Sequence, residues 1–288
     1  MKKFLLLACV LLFNVVSSYA QFKFTSIDCP GSTPTTARGI NDRGQIVGGT
    51  GGHAVLIEGG RCTPLAPTTV LGTNSSEALR NNNPGDVVGI FYDDNGFAHG
   101  FLLSKKGVLT TLDFPGASET YPRGINDSGK VVGYWDLLDA GGNLLAFHGF
   151  IWQDGSFREV SFPGSASSSI FGINDPGDFV GLWYSSTSPD EHGYVFSQGR
   201  FTSFDVPVAG STFTQANDIN APGEIIGVYL DASGMEHGFL KVGARFTSID
   251  YPGAYLTAAW SINSAGLIVG NHYDSASSPA QGYLAVRK

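Results

Sequence analysis

The chain has 288 residues, of which 39 are glycine, and only 15% are charged. A chain so rich in glycine and so poor in charged helix formers excludes helix bundles and coiled coils. Aromatic residues make up 12% of the chain, and this apolar bulk excludes wholesale disorder.

Residues 1–20 are typical of a secretory signal peptide. Two lysines precede an apolar run over residues 4–16, and small residues precede Ala20, as they do at signal cleavage sites. Asn14 interrupts the run, which is also too short to predict a membrane span. We therefore expect a secreted, periplasmic or cell-surface protein that comprises residues 21–288.

The mature chain is acidic, because loss of Lys2 and Lys3 from the 17 basic residues leaves 15 against 25 acidic ones, a charge of −10. It has no basic cluster, so we expect no nucleic-acid partner and no anionic membrane surface as a partner. Its two cysteines are Cys29 and Cys62. Export permits a disulfide between them but does not require one, and both states stay open.

One ten-residue phrase recurs six times after the leader. Its clearest copy, residues 124–133, reads Gly-Ile-Asn-Asp-Ser-Gly-Lys-Val-Val-Gly. The other copies are residues 39–48, 80–89, 172–181, 218–227 and 261–270. The closing glycines are 41 to 48 residues apart, and this period is typical of propellers, solenoids and repeat arrays.

Two further phrases follow the first in each repeat. The second is His-Gly-Phe or His-Gly-Tyr in most repeats, and the third is best seen as Phe-Thr-Ser-Ile-Asp at residues 246–250. Together the phrases resemble the extracellular repeats of the HAF family, named for a His-Ala-Phe triplet, over residues 22–288. Most copies here have glycine at the middle position of that triplet. The resemblance implies a repeat fold and export, and it implies no activity.

Each repeat predicts four short strands. The Ile-Asn-Asp-x-Gly segment predicts a tight turn between the first two strands, since Asn and Asp bond their own backbone and Gly supplies positive φ. The second strand carries adjacent apolar residues such as Val131 and Val132, so we expect neighbouring sheets to cover both of its faces. The His-Gly-Phe segment predicts the third strand and the Phe-Thr-Ser-Ile-Asp segment the fourth.

Six repeats of about 45 residues with four antiparallel strands each predict an all-β, six-bladed β-propeller as a single domain over residues 21–288. The mature chain begins with a fourth strand and ends with a third, at residues 281–286. We therefore expect the N-terminal strand to close the last blade and leave no open edge. A solenoid or paired trefoils are the alternatives, but a solenoid needs polar caps that the sequence lacks.

Five of the six histidines occupy one repeat position: His53, His99, His148, His192 and His237. A metal ion needs ligand atoms within about 2.3 Å, whereas third strands of a ring of blades stand more than about 10 Å apart. We therefore predict structural histidines that each bond within their own blade, for example to the aspartate that ends a fourth strand. The sequence predicts no metal site and no other cofactor.

Long, irregular connections follow the second and fourth strands and emerge on one face, where recognition is favoured. Aromatic residues with neighbouring carboxylates cluster there and suit a carbohydrate or a peptide strand. Trp260 also takes the repeat position held by Arg38 and Arg123, near the mouth of the channel. The alternative is that these rings only fill space between blades. The candidate ligand-binding residues are Tyr92, Tyr134, Trp135, Trp183, Tyr184, Tyr229, Trp260 and Tyr273.

No nucleophile elbow, dinucleotide fingerprint or P-loop is present in the sequence. The pattern favours a secreted, monomeric, non-catalytic propeller that binds a glycan, a peptide or a cell-surface polymer. One alternative is an extracellular glycosidase or polysaccharide lyase that uses loop carboxylates. Another is a structural envelope or matrix protein. The candidate catalytic residues of the enzyme hypothesis are Asp93, Asp136, Asp231 and Asp274.

The second repeat departs from the others, because Arg80 and Asn81 stand where the pattern has Gly and Ile. Such polar residues at a predicted core position are found mostly at functional sites or in degenerate blades.

Overall fold

The computed structural model describes residues 21–31, 34–65 and 75–288, so the predicted signal peptide lies outside the described residues. The described chain forms 24 β-strands and no helix, which confirms the all-β prediction. None of its segments is a helix long and apolar enough to cross a membrane.

The strands follow the repeats in chain order. The N-terminal strand is β1 (Phe22–Ile27). The first repeat forms β2 (Thr35–Ile40), β3 (Ile46–Thr50), β4 (His53–Glu58) and β5 (Arg61–Pro64). The second forms β6 (Ser76–Asn81), β7 (Val87–Tyr92), β8 (Ala98–Leu103) and β9 (Leu109–Leu112). The third forms β10 (Glu119–Ile125), β11 (Val131–Leu138), β12 (Leu144–Gln153) and β13 (Ser156–Val160).

The last three repeats follow the same plan. The fourth forms β14 (Ser167–Ile173), β15 (Phe179–Ser185), β16 (Ser188–Ser197) and β17 (Arg200–Phe204). The fifth forms β18 (Thr214–Ile219), β19 (Ile225–Leu230), β20 (Glu236–Val242) and β21 (Arg245–Ile249). The sixth forms β22 (Leu256–Ile262), β23 (Ile268–Tyr273) and β24 (Gln281–Arg287).

These strands form four four-stranded sheets and one eight-stranded sheet. The prediction of six separate four-stranded blades is therefore wrong, because the structure has four of them. A parallel pairing of His148 in β12 with Ser168 in β14 joins the strands of the third and fourth repeats into the larger sheet. Within each repeat the strands are antiparallel neighbours, as predicted.

The two ends of the described chain meet in one sheet. β1 pairs antiparallel with β24, with Phe22 opposite Arg287 and Ile27 opposite Gly282, as the sequence predicted. The second strand of each repeat packs against the first strand of the next, and β23 of the last repeat packs against β2 of the first. Apolar clusters fill these junctions. The sheets therefore follow one another around a closed ring, which is a propeller.

A ring of asparagines closes the centre of the propeller. In each repeat the side-chain nitrogen of the Asn in the Ile-Asn-Asp turn donates to the backbone carbonyl of the equivalent Asn in the next repeat, at 3.0 to 3.3 Å. The side-chain oxygen of the same Asn accepts from its own turn, for example from Gln45 N at 3.0 Å. One residue therefore shapes the turn and links it to its neighbour. The members are Asn41, Asn82, Asn126, Asn174, Asn220 and Asn263.

The glycine that ends each repeated phrase is required by close packing of the first two strands. A Cβ on Gly133 would lie 2.1 Å from the carbonyl oxygen of Tyr121, which no side chain can tolerate. The recurrence of this glycine thus follows from the approach of two backbones.

A disulfide joins Cys29 to Cys62 and settles the question that the sequence left open. Cys29 follows β1 of the last sheet, and Cys62 lies in β5 of the first repeat's sheet. The bond therefore ties the sheets on the two sides of the ring closure to each other.

Candidate functional site

Every first strand carries a bulge at the same repeat position. The antiparallel register shifts around one residue in each of these strands. A bulged residue leaves the ladder and turns its side chain in a new direction. Here contacts between distant repeats show that these side chains meet at the axis, since Arg38 and Arg123 both reach Trp260. The bulged residues are Arg38, Leu79, Arg123, Phe171, Asn217 and Trp260.

Five axial and near-axial residues form the candidate site, which we call the funnel: Arg38, Glu77, Arg123, Phe171 and Trp260. The Arg38 guanidinium lies over the Trp260 ring at 4.6 Å. The Arg123 guanidinium lies 5.3 Å from the Phe171 centroid and 5.8 Å from the Trp260 centroid. Such cation–π contacts hold a guanidinium in a fixed orientation.

The two arginines of the funnel differ in their electrostatic partners. Arg38 Nε donates to Glu77 Oε1 at 2.8 Å, and Thr36 Oγ1 donates to the same oxygen at 2.8 Å. Burial raises the pKa of Glu77, but Arg38 and Thr36 outweigh burial and hold that pKa below its usual range. Arg123 has no hydrogen bond or ion pair to any described residue, and burial lowers its pKa. The funnel thus contains a guanidinium free to receive an anion.

Arg80 closes the channel on the side of the short turns. Its guanidinium lies 3.6 Å from Asp218 Oδ2 of the fifth repeat, and burial lowers its pKa to about 10. It donates to backbone carbonyls from several repeats, and its whole residue is only 7% exposed. The funnel residues lie one to three residues nearer the start of the first strands, where the long loops enter them, and the Arg38 and Glu77 side chains are 20% and 22% exposed. The funnel therefore opens towards the long-loop face. The carbonyl acceptors of Arg80 belong to Arg38, Leu79, Asn217 and Trp260.

Two clefts on the long-loop side flank the funnel. One, of about 470 Å³, lies between the first and second repeats and is lined by Thr36, Glu77 and Tyr92 together with the short loop at residues 49–52. The other, of about 210 Å³, is lined by Tyr134 and Asp136 among others. The first cleft touches the funnel through Glu77, which lines both.

Asp136 has an unusual environment in the second cleft. It pairs with Glu119 across β10 and β11, and burial together with the Glu119 charge raises its pKa to about 7. Its Oδ1 atom is buried and has no hydrogen-bond partner among the described residues. Tyr121 stacks on Tyr134 at 4.8 Å beside this pair and donates its hydroxyl to Glu119 at 3.0 Å.

The structure brings three of the eight predicted ligand-binding residues to the funnel region: Tyr92, Tyr134 and Trp260. Trp135 and Trp183 lie on the opposite faces of their strands. Trp135 stacks on Phe114 and Trp183 stacks on Phe162, at 4.8 and 4.4 Å.

The other three predicted aromatic residues lie against residues of their own repeats and not at the funnel. Tyr229 is buried and stacks on His237 at 5.2 Å. The Tyr184 hydroxyl donates to Ser167 Oγ at 3.3 Å, and Tyr273 ends β23 opposite Leu256. Trp135 and Trp183 therefore do not join Trp260 at the funnel, because strand alternation turns their side chains to the opposite faces of the sheets.

Three of the four candidate catalytic carboxylates are engaged within their own repeats. Asp93 accepts a backbone hydrogen bond from Phe97, and Asp231 accepts hydrogen bonds from the Ser233 hydroxyl and from Met235 N. These bonds hold the pKa of both carboxyls below the usual range. Asp274 accepts from Gln281 at 2.9 Å. Only Asp136 lies in a cleft with a raised pKa, so the structure does not gather the four into one site.

Three of the five equivalent histidines bond an aspartate within their own repeats. His99 contacts Asp113 at 2.9 Å, His192 contacts Asp205 at 2.9 Å and His237 contacts Asp250 at 2.7 Å. His148 lies 3.6 Å from Glu159 instead, and His53 is exposed. Within the described residues no group of three or more His, Cys, Asp or Glu side chains is placed to hold a metal ion.

Sequence reasoning did not assign Glu77, Phe171 or the Arg80–Asp218 pair to the site. The signal that finds them is the bulge in each first strand. Phe171 is the bulged residue itself, and Glu77 lies two residues before a bulge. Arg80 and Asp218 directly follow one. At the position after the bulge these two repeats have a charged residue where Gly39 and Gly172 stand in others.

Comparison with known proteins supports the fold and no specific activity. No family model and no curated protein matches the chain. Several solved propellers are similar in structure. The β-propeller domain of the Trilobed protease from Pyrococcus furiosus is 10% identical, with a TM-score of 0.56 over 89% of this chain and 83% of that chain. A gluconolactonase from Xanthomonas campestris is 12% identical, with a TM-score of 0.53 over 93% and 92%. A lectin from Aleuria aurantia is 10% identical, with a TM-score of 0.51 over 90% and 93%.

Proposed function

We propose that this protein is a secreted, monomeric, non-catalytic binding propeller of the HAF type, which recognises an extracellular glycan, peptide or cell-surface polymer. In this proposal each repeat acts as one of six blades, and the eight-stranded sheet serves as two of them. The ligand enters on the long-loop face.

The observation that supports this role is the funnel itself. Two guanidiniums and a tryptophan from three different repeats meet at the axis, beside a cleft of about 470 Å³. That volume falls within the range of small-ligand pockets. Aromatic and arginine side chains in a partly buried centre are also the residues that dominate binding energy at interfaces.

The test is a screen of the purified protein on glycan and peptide arrays, followed by titration of the best ligand. Trp260→Ala is expected to weaken binding about 30-fold, as loss of a central aromatic contact does. Tyr255→Ala is the control for loss of an exposed aromatic ring, because Tyr255 is 44% exposed and is not a funnel residue, although it directly precedes β22, which carries Trp260. Unchanged affinity in Trp260→Ala, or an absence of binding on both arrays, would overturn the proposal.

Asp136 and Glu119 favour a second candidate function, glycoside hydrolysis. Their cross-strand pairing places their Cβ atoms about 5 Å apart, and the Glu119 charge acts on Asp136. Glycosidases use two such neighbouring carboxyl groups. The raised pKa of Asp136 suits a general acid. Release of reducing ends from a polysaccharide panel, abolished by Asp136→Asn, would support this candidate. A lack of cleavage across the panel would remove it.

A further inference from the structure

We propose that Arg123 is the anion anchor of the funnel, and that the ligand is a carbohydrate bearing a singly charged oxyanion, either a uronate carboxylate or a sulfate ester. This inference rests on the proposed binding function and specifies the chemistry of its ligand.

Arg123 is the funnel cation that no carboxylate of the described chain contacts. Glu77 hydrogen-bonds Arg38, and the Glu236 carboxylate also lies within electrostatic range of Arg38. Tyr121 and Tyr134 face Arg123, but both are neutral because burial raises their pKa. Arg123 is partly buried, and a charge withdrawn from water without a partner is costly. One bound oxyanion would supply the missing partner.

The orientation of Arg123 suits a planar, two-oxygen acceptor. Its guanidinium is held over the rings of Phe171 and Trp260 at 5.3 and 5.8 Å, and none of its nitrogens bonds a described acceptor. A fixed guanidinium presents two parallel N–H groups to one carboxylate or sulfate group. Lysine, a point charge on a flexible stem, would not reproduce this geometry.

The neighbouring cleft suits sugar hydroxyls more than a peptide strand. Tyr92 lies within electrostatic range of both Arg38 and Arg123, and its hydroxyl has no hydrogen-bond partner among the described residues. Thr36, Ser75 and the glycine loop at residues 49–52 add polar groups to the same cleft. An extended peptide would bind by pairing with a free strand edge. The inner edge of β2 is not free, because Ala37 N already donates to Asn271 Oδ1 at 3.0 Å.

The experiment measures calorimetric binding of four probes to the full mature chain. The probes are hexagalacturonate, a sulfated galactan hexasaccharide, the uncharged galactan hexasaccharide and an aspartate hexapeptide. We expect at least one of the two acidic sugars to bind, and the one that binds more tightly identifies the oxyanion. We also expect its affinity to fall as the salt concentration rises. We expect the neutral sugar to bind at least about 10-fold more weakly, as loss of a charged hydrogen bond implies.

Arg123→Met should weaken binding of the acidic sugar about 10- to 100-fold. Arg123→Lys should recover only part of the affinity that Arg123→Met loses. Arg158→Met on β13 is the matched control, because Arg158 is exposed and its substitution removes the same charge. Arg123→Met removes an unpaired, partly buried cation, so we expect the thermal stability of this variant to be at least that of the parent.

The outcomes separate this inference from the proposed function. Trp260-dependent binding of the neutral sugar or of the peptide, equal in the parent and in Arg123→Met, would overturn the anion anchor and leave the binding function standing. An absence of binding to every probe and to both arrays would overturn both.

Discussion

The buried pair of Arg80 and Asp218 offers the most direct test of how the centre of the propeller is built. We predict that Asp218→Asn destabilises the protein by about 3 kcal/mol, since removing one partner of a buried ion pair costs about 3–5 kcal/mol. The lower end applies because the Nε–Oδ2 distance is 3.6 Å and Arg80 keeps its carbonyl acceptors. The substitution is nearly isosteric, so packing changes little.

The assay is guanidinium unfolding followed by circular dichroism and tryptophan fluorescence. A loss of about 3 kcal/mol corresponds to a decrease in Tm of about 6 °C for a domain of this size. Arg80→Met should also be destabilising, since it leaves the Asp218 carboxylate without a cation. The double variant should lose at least about 1 kcal/mol less than the sum of the two single losses, because neither charge is then left unpaired.

Two results would refute this reasoning. A loss below about 0.5 kcal/mol in Asp218→Asn, the range of ordinary surface substitutions, would mean that Asp218 is neutral in the folded protein. Burial raises the pKa of Asp218 above its usual range, and Arg80 and Ser261 offset only part of that rise. Strict additivity in the double variant would mean that the two side chains act independently. Asp154→Asn, in an exposed turn, is the control for a general effect of charge.

The remaining predictions concern pH and the disulfide. The pKa of Asp136 is raised to about 7 in the folded protein, against about 3.9 in the unfolded chain. Between these two values the folded state binds one more proton than the unfolded state, so stability should fall as pH rises from about 4 to 7. Asp136→Asn should flatten this part of a Tm–pH profile. Hydrogen bonding to Asp250 raises the pKa of His237. The contribution of protonated His237 to folding stability should therefore be complete below about pH 6.5 and disappear as pH rises through the raised pKa. His237→Asn should lower Tm more at acidic than at alkaline pH. The Cys29–Cys62 bond spans 33 residues and should contribute about 3–4 kcal/mol; the double serine variant should show a lower Tm than the oxidised parent, and reductant should affect only the parent.

Much of the fold could be predicted from the sequence, because closure depends on features that recur. The period of the repeated phrase and the mismatch of strand types at the two ends predicted the pairing of β1 with β24. The second function of the Asn in each turn could not be predicted, because its own turn already accounts for the side-chain oxygen. The junction of the third and fourth repeats was also hidden, since one parallel pairing, between His148 and Ser168, leaves no pattern in the sequence.

The site was predicted only in part, because adjacent residues on a strand point to opposite faces. Tyr134 and Trp135 are equally aromatic and follow the same strand, yet Tyr134 faces Phe171 of the next repeat at 5.7 Å and Trp135 stacks on His148 of its own sheet at 4.8 Å. The sequence shows that aromatic residues cluster there. It does not show which of each pair faces the axis until the bulge of the first strand fixes the register.

The position that varies most among the repeats is therefore the one that best marks the site. Closure is achieved by the Asn ring, by backbone pairing and by apolar junctions, and these are alike in every repeat. The bulged position is not alike in every repeat, since it holds Arg, Leu, Arg, Phe, Asn and Trp in turn. Both axial arginines and Glu77 come from the first three repeats, while the last three supply Phe171, Asn217 and Trp260. This division of cations and aromatic rings between the two halves of the ring supports the proposed binding of an asymmetric ligand.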